Sequence, residues 1–125
     1  VCLNLNNNNL QKLPLALTHL TRLTMLDLEY NQLKELPNQI ELILKNIEHL
    51  NLQDNHLTTI PSEIGSLTNL KKLNLSRNML KTLPSSIFTL SQLSHLNFQR
   101  NLTTATTRTW LTQNLKDIIQ LTKRE

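Results

Sequence analysis

Few side chains able to do covalent or metal chemistry occur in this 125-residue chain, and they stand far apart. Cys2 is the sole thiol, and His19, His49, His56 and His95 are the only imidazoles. None of these histidines stands at a metal-ligand spacing from another ligand type. One glycine leaves no Gly-rich phosphate loop, and no paired carboxylates suggest acid–base catalysis. A single cysteine forms no internal disulfide and no four-Cys zinc site, which suits a reducing, intracellular compartment. The acceptor patterns Asn74-Leu75-Ser76 and Asn101-Leu102-Thr103 read as accidents of sequence, Leu75 falling in the core and Asn101 on a buried position, so neither reads as an exposed acceptor loop. No enzyme activity, cofactor or metal is therefore expected of these residues.

What remains is polar and charged, and it is unevenly distributed. The net charge is +4, but residues 1–70 carry four bases against seven acids, a net −3, and residues 71–125 carry nine bases against two acids, a net +7. Such an electrical polarity bears on the choice of partner. No apolar run approaches the ~18 residues of a membrane span, so no membrane insertion is expected.

The elements that position these side chains are repeats. Asn8, Asn31, Asn55, Asn78 and Asn101 recur at spacings of 23, 24, 23 and 23. Three residues before each stands Leu5, Leu28, Leu52, Leu75 or Phe98, and five before it Leu3, Leu26, Leu50, Leu73 or Leu96. Two residues after come Leu10, Leu33, Leu57 and Leu80, followed by Leu13-Pro14, Leu36-Pro37, Ile60-Pro61 and Leu83-Pro84. Two apolar residues flanking one free position predict a short strand with one buried face. Apolar residues at every third position after Pro (Leu17, Leu20, Leu23; Ile64, Leu67, Leu70; Ile87, Leu90, Leu93) predict a 3₁₀ or short helical return. Between Pro37 and Ile47 one extra residue, with Ile40, Ile43, Leu44 and Ile47 at helical spacing, predicts a fuller helical turn. Each repeat is one coil that buries its leucines only by stacking. The recurring Asn is expected to form a buried ladder that pairs the backbone of neighbouring coils. With one glycine, turns of positive φ are expected to use Asn or Asp.

Over residues 1–101 these positions resemble the leucine-rich repeat family, L-x-x-L-x-L-x-x-N-x-L continuing L-P-x-x-I-x-x-L. The resemblance implies an α/β fold, a right-handed solenoid forming a horseshoe segment. Short parallel strands would line its concave face and 3₁₀ or short helical returns its convex face. It also implies protein binding on the concave strands, as in scaffolds and regulators of signalling. The short, Asn- and Leu-rich array is further similar to effectors that intracellular bacterial pathogens deliver into host cells.

Stacking would gather the free strand positions into rows on one face. The expected partner-binding residues are Asp27, Glu29 and Tyr30; His49, Asn51, Gln53 and Asp54; Lys72, Asn74 and Arg77; and His95, Asn97, Gln99 and Arg100. In the row Asn4, Asp27, Asn51, Asn74 and Asn97, amides bonding one another sideways is the structural alternative to ligand contact. Cys2 would share a row with Met25, His49, Lys72 and His95, which puts its nearest His two coils away and places Lys72 between two histidines about 10 Å apart. Neither arrangement suits a Cys/His pair or zinc.

The expected organisation is a repeat array over 1–105 and a C-terminal capping helix over 106–125. In that helix Leu111, Leu115, Ile118 and Leu121 would share a face, with Trp110 and Ile119 beside it and an N-cap in Thr106 to Thr109. Trp110 reads either as a plug on the last coil or as an exposed anchor for a partner. Val1, Cys2 and Leu3 enter in mid-strand, with no initiator Met and no signal-peptide pattern, so the expectation is that an N-terminal cap or further repeats belong upstream, or that this end is covered by a partner or frays. The functional expectation is a monomeric protein-recognition module. Two alternatives are kept open. One is the substrate-recognition arm of a larger enzyme such as a ubiquitin ligase. The other is a nucleic-acid binder using Lys71, Lys72, Arg77, Lys81, Arg100 and Arg108, for which only Tyr30 offers stacking on the concave face.

Overall fold

A computed structural model describes residues 1–115 and 119–120. Five three-residue strands, β1 (Cys2–Asn4), β2 (Met25–Asp27), β3 (His49–Asn51), β4 (Lys72–Asn74) and β5 (His95–Asn97), pair in parallel and in sequence order. Their register aligns Cys2, Met25, His49, Lys72 and His95 as direct neighbours, and likewise Leu3, Leu26, Leu50, Leu73 and Leu96. A repeat that differed in strand phase would flip its leucine to solvent, so the constant offset between Leu and Asn fixes this register.

The returns follow the sequence spacing. Leu15–His19, Ser62–Ser66 and Ser85–Thr89 are 3₁₀ turns entered from an extended proline. The coil with the extra residue forms an α-helix instead, α1 (Ile40–Ile43), closed by the Leu44 N–H on the Ile40 carbonyl. Ile40, Ile43, Leu44 and Ile47 are all buried, so the added residue completes an inward-facing helical set.

The core is one continuous cluster of leucine and isoleucine with Phe98 and Leu111. It is complete in the inner coils and thinner in the first. Leu50, Leu73 and Leu96 are buried where Leu3 is half-buried, and Leu20 is 42% exposed where Leu67 is fully buried.

The asparagine ladder lies inside as the repeat required. Asn55 Oδ1 accepts the Leu33 N–H at 3.1 Å, and its Nδ2 donates to the carbonyls of Leu28, Leu52 and Gln53. Asn78 repeats the pattern with the Leu57 N–H and the carbonyls of Leu52, Leu75 and Ser76. Each amide thus satisfies groups of its own coil and of the preceding one. Asn31, Asn55 and Asn78 are buried and Asn101 half-buried, whereas Asn8 is exposed and bonds only within its own coil, to Leu5 and Asn6.

Gly65, the lone glycine, answers a packing demand that the repeat pattern did not reveal. A Cβ there would stand 2.7 Å from Ser86 Cβ and 2.8 Å from the Ser86 carbonyl oxygen on the next return. The two returns are tied by Ser86 Oγ donating to the Ser62 carbonyl at 2.6 Å.

The C-terminal region differs from its expectation. The helix α2 spans Ala105–Leu115, and Ile119–Gln120 form a sixth strand, β6, parallel to β5 with Leu96 opposite Ile119. A helix through residue 125 is therefore not formed at 119–120, where the open side of β5 offers a ladder to pair with. The N-cap is Thr104, whose Oγ1 accepts the Thr107 N–H at 3.1 Å, and not a residue of the Thr106 to Thr109 run. Leu111 is fully buried, and the Trp110 ring meets Phe88 edge to face at 4.8 Å. The expected helix-face positions Ile118 and Leu121 lie outside the described residues, as does the Leu115 side chain.

Candidate functional site

The polar rows expected on the concave face divide into two grooves. A main groove of about 480 Å³ runs across β1 to β5 and takes in Asp27, His49, Asn51, Lys72, Asn74, His95 and Asn97, with Cys2, Asn4 and Met25. A second groove of about 500 Å³ lies along the C-terminal ends of the strands and takes in Tyr30, Asp54 and Arg77 together with Gln32, Asn55 and His56. Glu29, Gln53, Gln99 and Arg100 line neither groove. The single grid read from the sequence is thus split by the bend after each strand.

That bend has a specific geometry. Asn7, Tyr30, Asp54, Arg77 and Arg100 have φ between 54° and 57°, the left-handed region. Asn7 and Asp54 follow the expectation; Tyr30, Arg77 and Arg100 contradict it. Their conformation is imposed by the sheet. The N–H of Asn7 donates to the Glu29 carbonyl, Tyr30 to Gln53, Asp54 to Ser76 and Arg77 to Gln99, so these four residues are held by the next coil. A side chain with a Cβ costs on the order of 1 kcal/mol more than glycine in this region, and only Asn and Asp recover part of it locally. The chain therefore carries Tyr and Arg where Asn would fold at lower cost.

The Asn/Asp row of the main groove is also structural, but not by the sideways amide pairing considered from sequence. Each oxygen turns along its own strand and accepts the N–H two residues on: Asn4 from Asn6, Asp27 from Glu29, Asn51 from Gln53, Asn74 from Ser76 and Asn97 from Gln99, at 3.0–3.1 Å. This Asx turn leads the chain from extended strand into the left-handed residue and explains why the row carries only Asn and Asp. Ser76 is buried, its hydroxyl donating to Asn74 Oδ1 at 2.7 Å.

Charge is sorted along the stack. Asp27, Glu29 and Asp54 lie on the second and third coils; Lys72, Arg77 and Arg100 lie on the fourth and fifth. Burial pushes the Glu29 carboxyl up from its ordinary value, and the neighbouring Asp27 and Asp54 charges push it further, against a side-chain hydrogen bond from Asn51. Lys71 Nζ pairs with Glu48 Oε1 at 3.1 Å, outside both grooves, and among the described residues no ion pair joins Asp27, Glu29 or Asp54 to Lys72, Arg77 or Arg100. The opposed charges on the face are therefore not neutralised against each other at contact distance.

Other chemistry finds little support in the geometry. Cys2 is exposed with its Sγ 3.3 Å from Met25 Sδ, and His95 Nδ1 lies 2.9 Å from Ser94 Oγ. Among the described residues no group of three His, Cys, Asp or Glu side chains could hold a metal ion, and no helix is long and apolar enough to cross a membrane. Asn101 Nδ2 is engaged by the carbonyls of Leu75, Phe98 and Gln99, and Leu75 and Ser76 are buried, so neither glycosylation pattern presents a free acceptor loop.

Residues 45–103 match the family described as Leucine rich repeat. The chain is 38% identical over 64 residues, 51% of its length, to a probable serine/threonine-protein kinase of Dictyostelium discoideum. Among solved structures, a Leptospira interrogans LRR protein superposes with a TM-score of 0.87 at 33% identity over 96% of the chain. The TLR13–ssRNA13 complex follows at 0.79 and 29% over 95%, and the Toll–Spatzle complex of Drosophila at 0.71 and 24% over 80%. The chain spans 5% of the kinase and 30%, 18% and 14% of the three structures.

Proposed function

We propose, on the premise that the chain belongs to the leucine-rich repeat family, that it is a protein-recognition module whose partner lies across the main groove of its concave face. The fold is one typical of protein–protein interaction modules. The observation that carries the reading is the sorting of charge on a registered sheet, acidic at half-buried Asp27 and basic at exposed Lys72, with a groove of about 480 Å³ continuous across both. Solvation alone is served by interspersed charges; a graded field selects a partner surface with the opposite gradient. In this reading α2 is the lid of the repeat array, Trp110 on Phe88 acting as its plug.

The test is affinity capture, from a native and from a host-cell lysate, with Lys72→Glu as control. The Lys72 side chain projects exposed from the sheet, so the variant keeps the circular dichroism of the parent. Loss of a captured protein with the fold intact supports the reading, and an unchanged set of captured proteins overturns it.

Delivery as a bacterial effector would rest on composition and on the likeness to the Leptospira protein. The host-cell arm of the capture tests it. A recognition arm in a larger enzyme is favoured by one observation, that the repeat stretch matches a segment within a far longer probable kinase. A nucleic-acid reading is favoured by the basic fourth and fifth coils and by a structural neighbour solved with ssRNA13. Against it, Tyr30 lies on the acidic side, and Trp110 is already packed on Phe88.

A further inference from the structure

The edge groove holds chemistry that the main groove does not use. Along its floor Tyr30, Asp54 and Arg77 stand on three successive coils, held by identical left-handed backbones and by the same N–H to carbonyl bond to the next coil. Their spacing is set by the sheet at about 4.8 Å per coil, so Tyr30 and Arg77 are about 10 Å apart along the stack. Tyr30 is 50% exposed and Arg77 exposed. Asp54 is oriented by Gln53, whose Nε2 donates to Asp54 Oδ2 at 3.1 Å.

Two independent features point to a ligand here. The first is the order of chemistry: an aromatic ring, then a carboxylate, then a guanidinium, with Glu29 and its Asp27 neighbour deepening the negative field beside the first two. A cation laid over the Tyr30 ring also meets Asp54, and a carboxylate one coil further on meets the Arg77 fork. The second is that Tyr30 and Arg77 occupy backbone positions where Asn, as at Asn7, suffices for the turn. Folding does not ask for these side chains.

The spacing then selects the ligand. A cation seated between Tyr30 and Asp54 is about 7 Å along the stack from an anion on Arg77. In an extended chain, residues two apart point the same way and are also about 7 Å apart, whereas nearest neighbours point to opposite faces. We propose that the edge groove binds an extended segment of the partner carrying a basic and an acidic residue two positions apart, the basic side chain on Tyr30 and Asp54 and the acidic one on Arg77. This rests on the protein-recognition reading and adds a second, chemically defined contact beside the main groove.

The probe is a set of threonine hexapeptides carrying one Lys and one Glu at separations of one, two and three, titrated against the whole chain at low salt. Separation two is expected to bind about fivefold tighter than either neighbour, the scale of one well-placed exposed ion pair. Arg77→Glu should shift the preference to peptides carrying two Lys at separation two. Arg77→Asn, which suits the left-handed backbone, should fold and lose the preference for the acidic residue. Equal binding at all separations, or a preference untouched by both Arg77 variants, overturns the proposal. Lys72→Glu, which lies outside the edge groove, must leave the peptide preference in place. If that preference stands while capture from lysate is unchanged by the main-groove variant, the earlier reading falls alone; if capture depends on the main groove and the preference is absent, this one does.

Discussion

Two columns of side-chain amides run the length of this molecule, and they are used in opposite ways. The ladder of Asn31, Asn55 and Asn78 is buried, and each member bonds backbone groups on two coils. The row of Asn4, Asp27, Asn51, Asn74 and Asn97 turns one oxygen onto its own strand, two residues on, and lines the groove with the rest, where bonds to a neighbouring coil go to side chains, as from Asn74 Nδ2 to Gln53 Oε1, and not to backbone. The lesson is that repetition alone does not mark a residue as internal. A column whose bonds cross between coils admits one residue type, because both a donor and an acceptor are consumed. A column that needs only an acceptor admits Asp27 as well, and with it a charge for recognition.

The largest effect that separates the columns is expected at Asn78. Asn78→Ala strands the buried Leu57 N–H and removes bonds to three carbonyls, a loss of about 2–4 kcal/mol in urea unfolding. A loss no greater than that of a groove-row alanine would erase the distinction. A middle effect is expected at Asn97, where Ala removes the acceptor of the Gln99 N–H and should cost about 1 kcal/mol. Asn97→Asp keeps the acceptor and should stay within a few tenths of the parent; an Asp as damaging as Ala would show that both ends of the amide are needed.

The smallest effect concerns Glu29. Its carboxyl is held above the ordinary range by burial and by Asp27 and Asp54, so the folded state resists its ionisation. That penalty is absent below the carboxylate range and appears as pH rises through it. Glu29→Gln, which can still accept from Asn51, should therefore melt slightly higher than the parent at pH 7 and equal to it at pH 3. A variant less stable at pH 7 would reverse the sign.

Much of the architecture was legible because it lies in spacing. The offset from Leu26 to Asn31 is the offset from Leu73 to Asn78, and from it follow strand, register and ladder. The extra residue before Ile47 announced α1 in the same way. The site was legible in its residues but not in its partition. Tyr30, Asp54 and Arg77 read as concave because they follow the strand, yet the left-handed bend carries them into another groove. That bend comes from a bond to the next coil, a long-range demand that overrides the local preference for Asn or Asp. Gly65 was missed because its neighbour, Ser86, lies on the following return. The spacing of Leu and Ile predicts helix where Ile119–Gln120 form the sixth strand, because that spacing says nothing of the open edge of β5.

The most direct test of the two-column account is amide hydrogen exchange read residue by residue. Leu33 and Leu57 donate to ladder oxygens inside the stack, while Gln53 and Gln99 donate to groove-row oxygens at the surface. The account predicts that the two leucine amides exchange only through global unfolding and the two glutamine amides through small local openings, with free energies well below the global value. Leucine amides exchanging as fast as the glutamines would contradict it, because the interior ladder would then not be what joins one coil to the next.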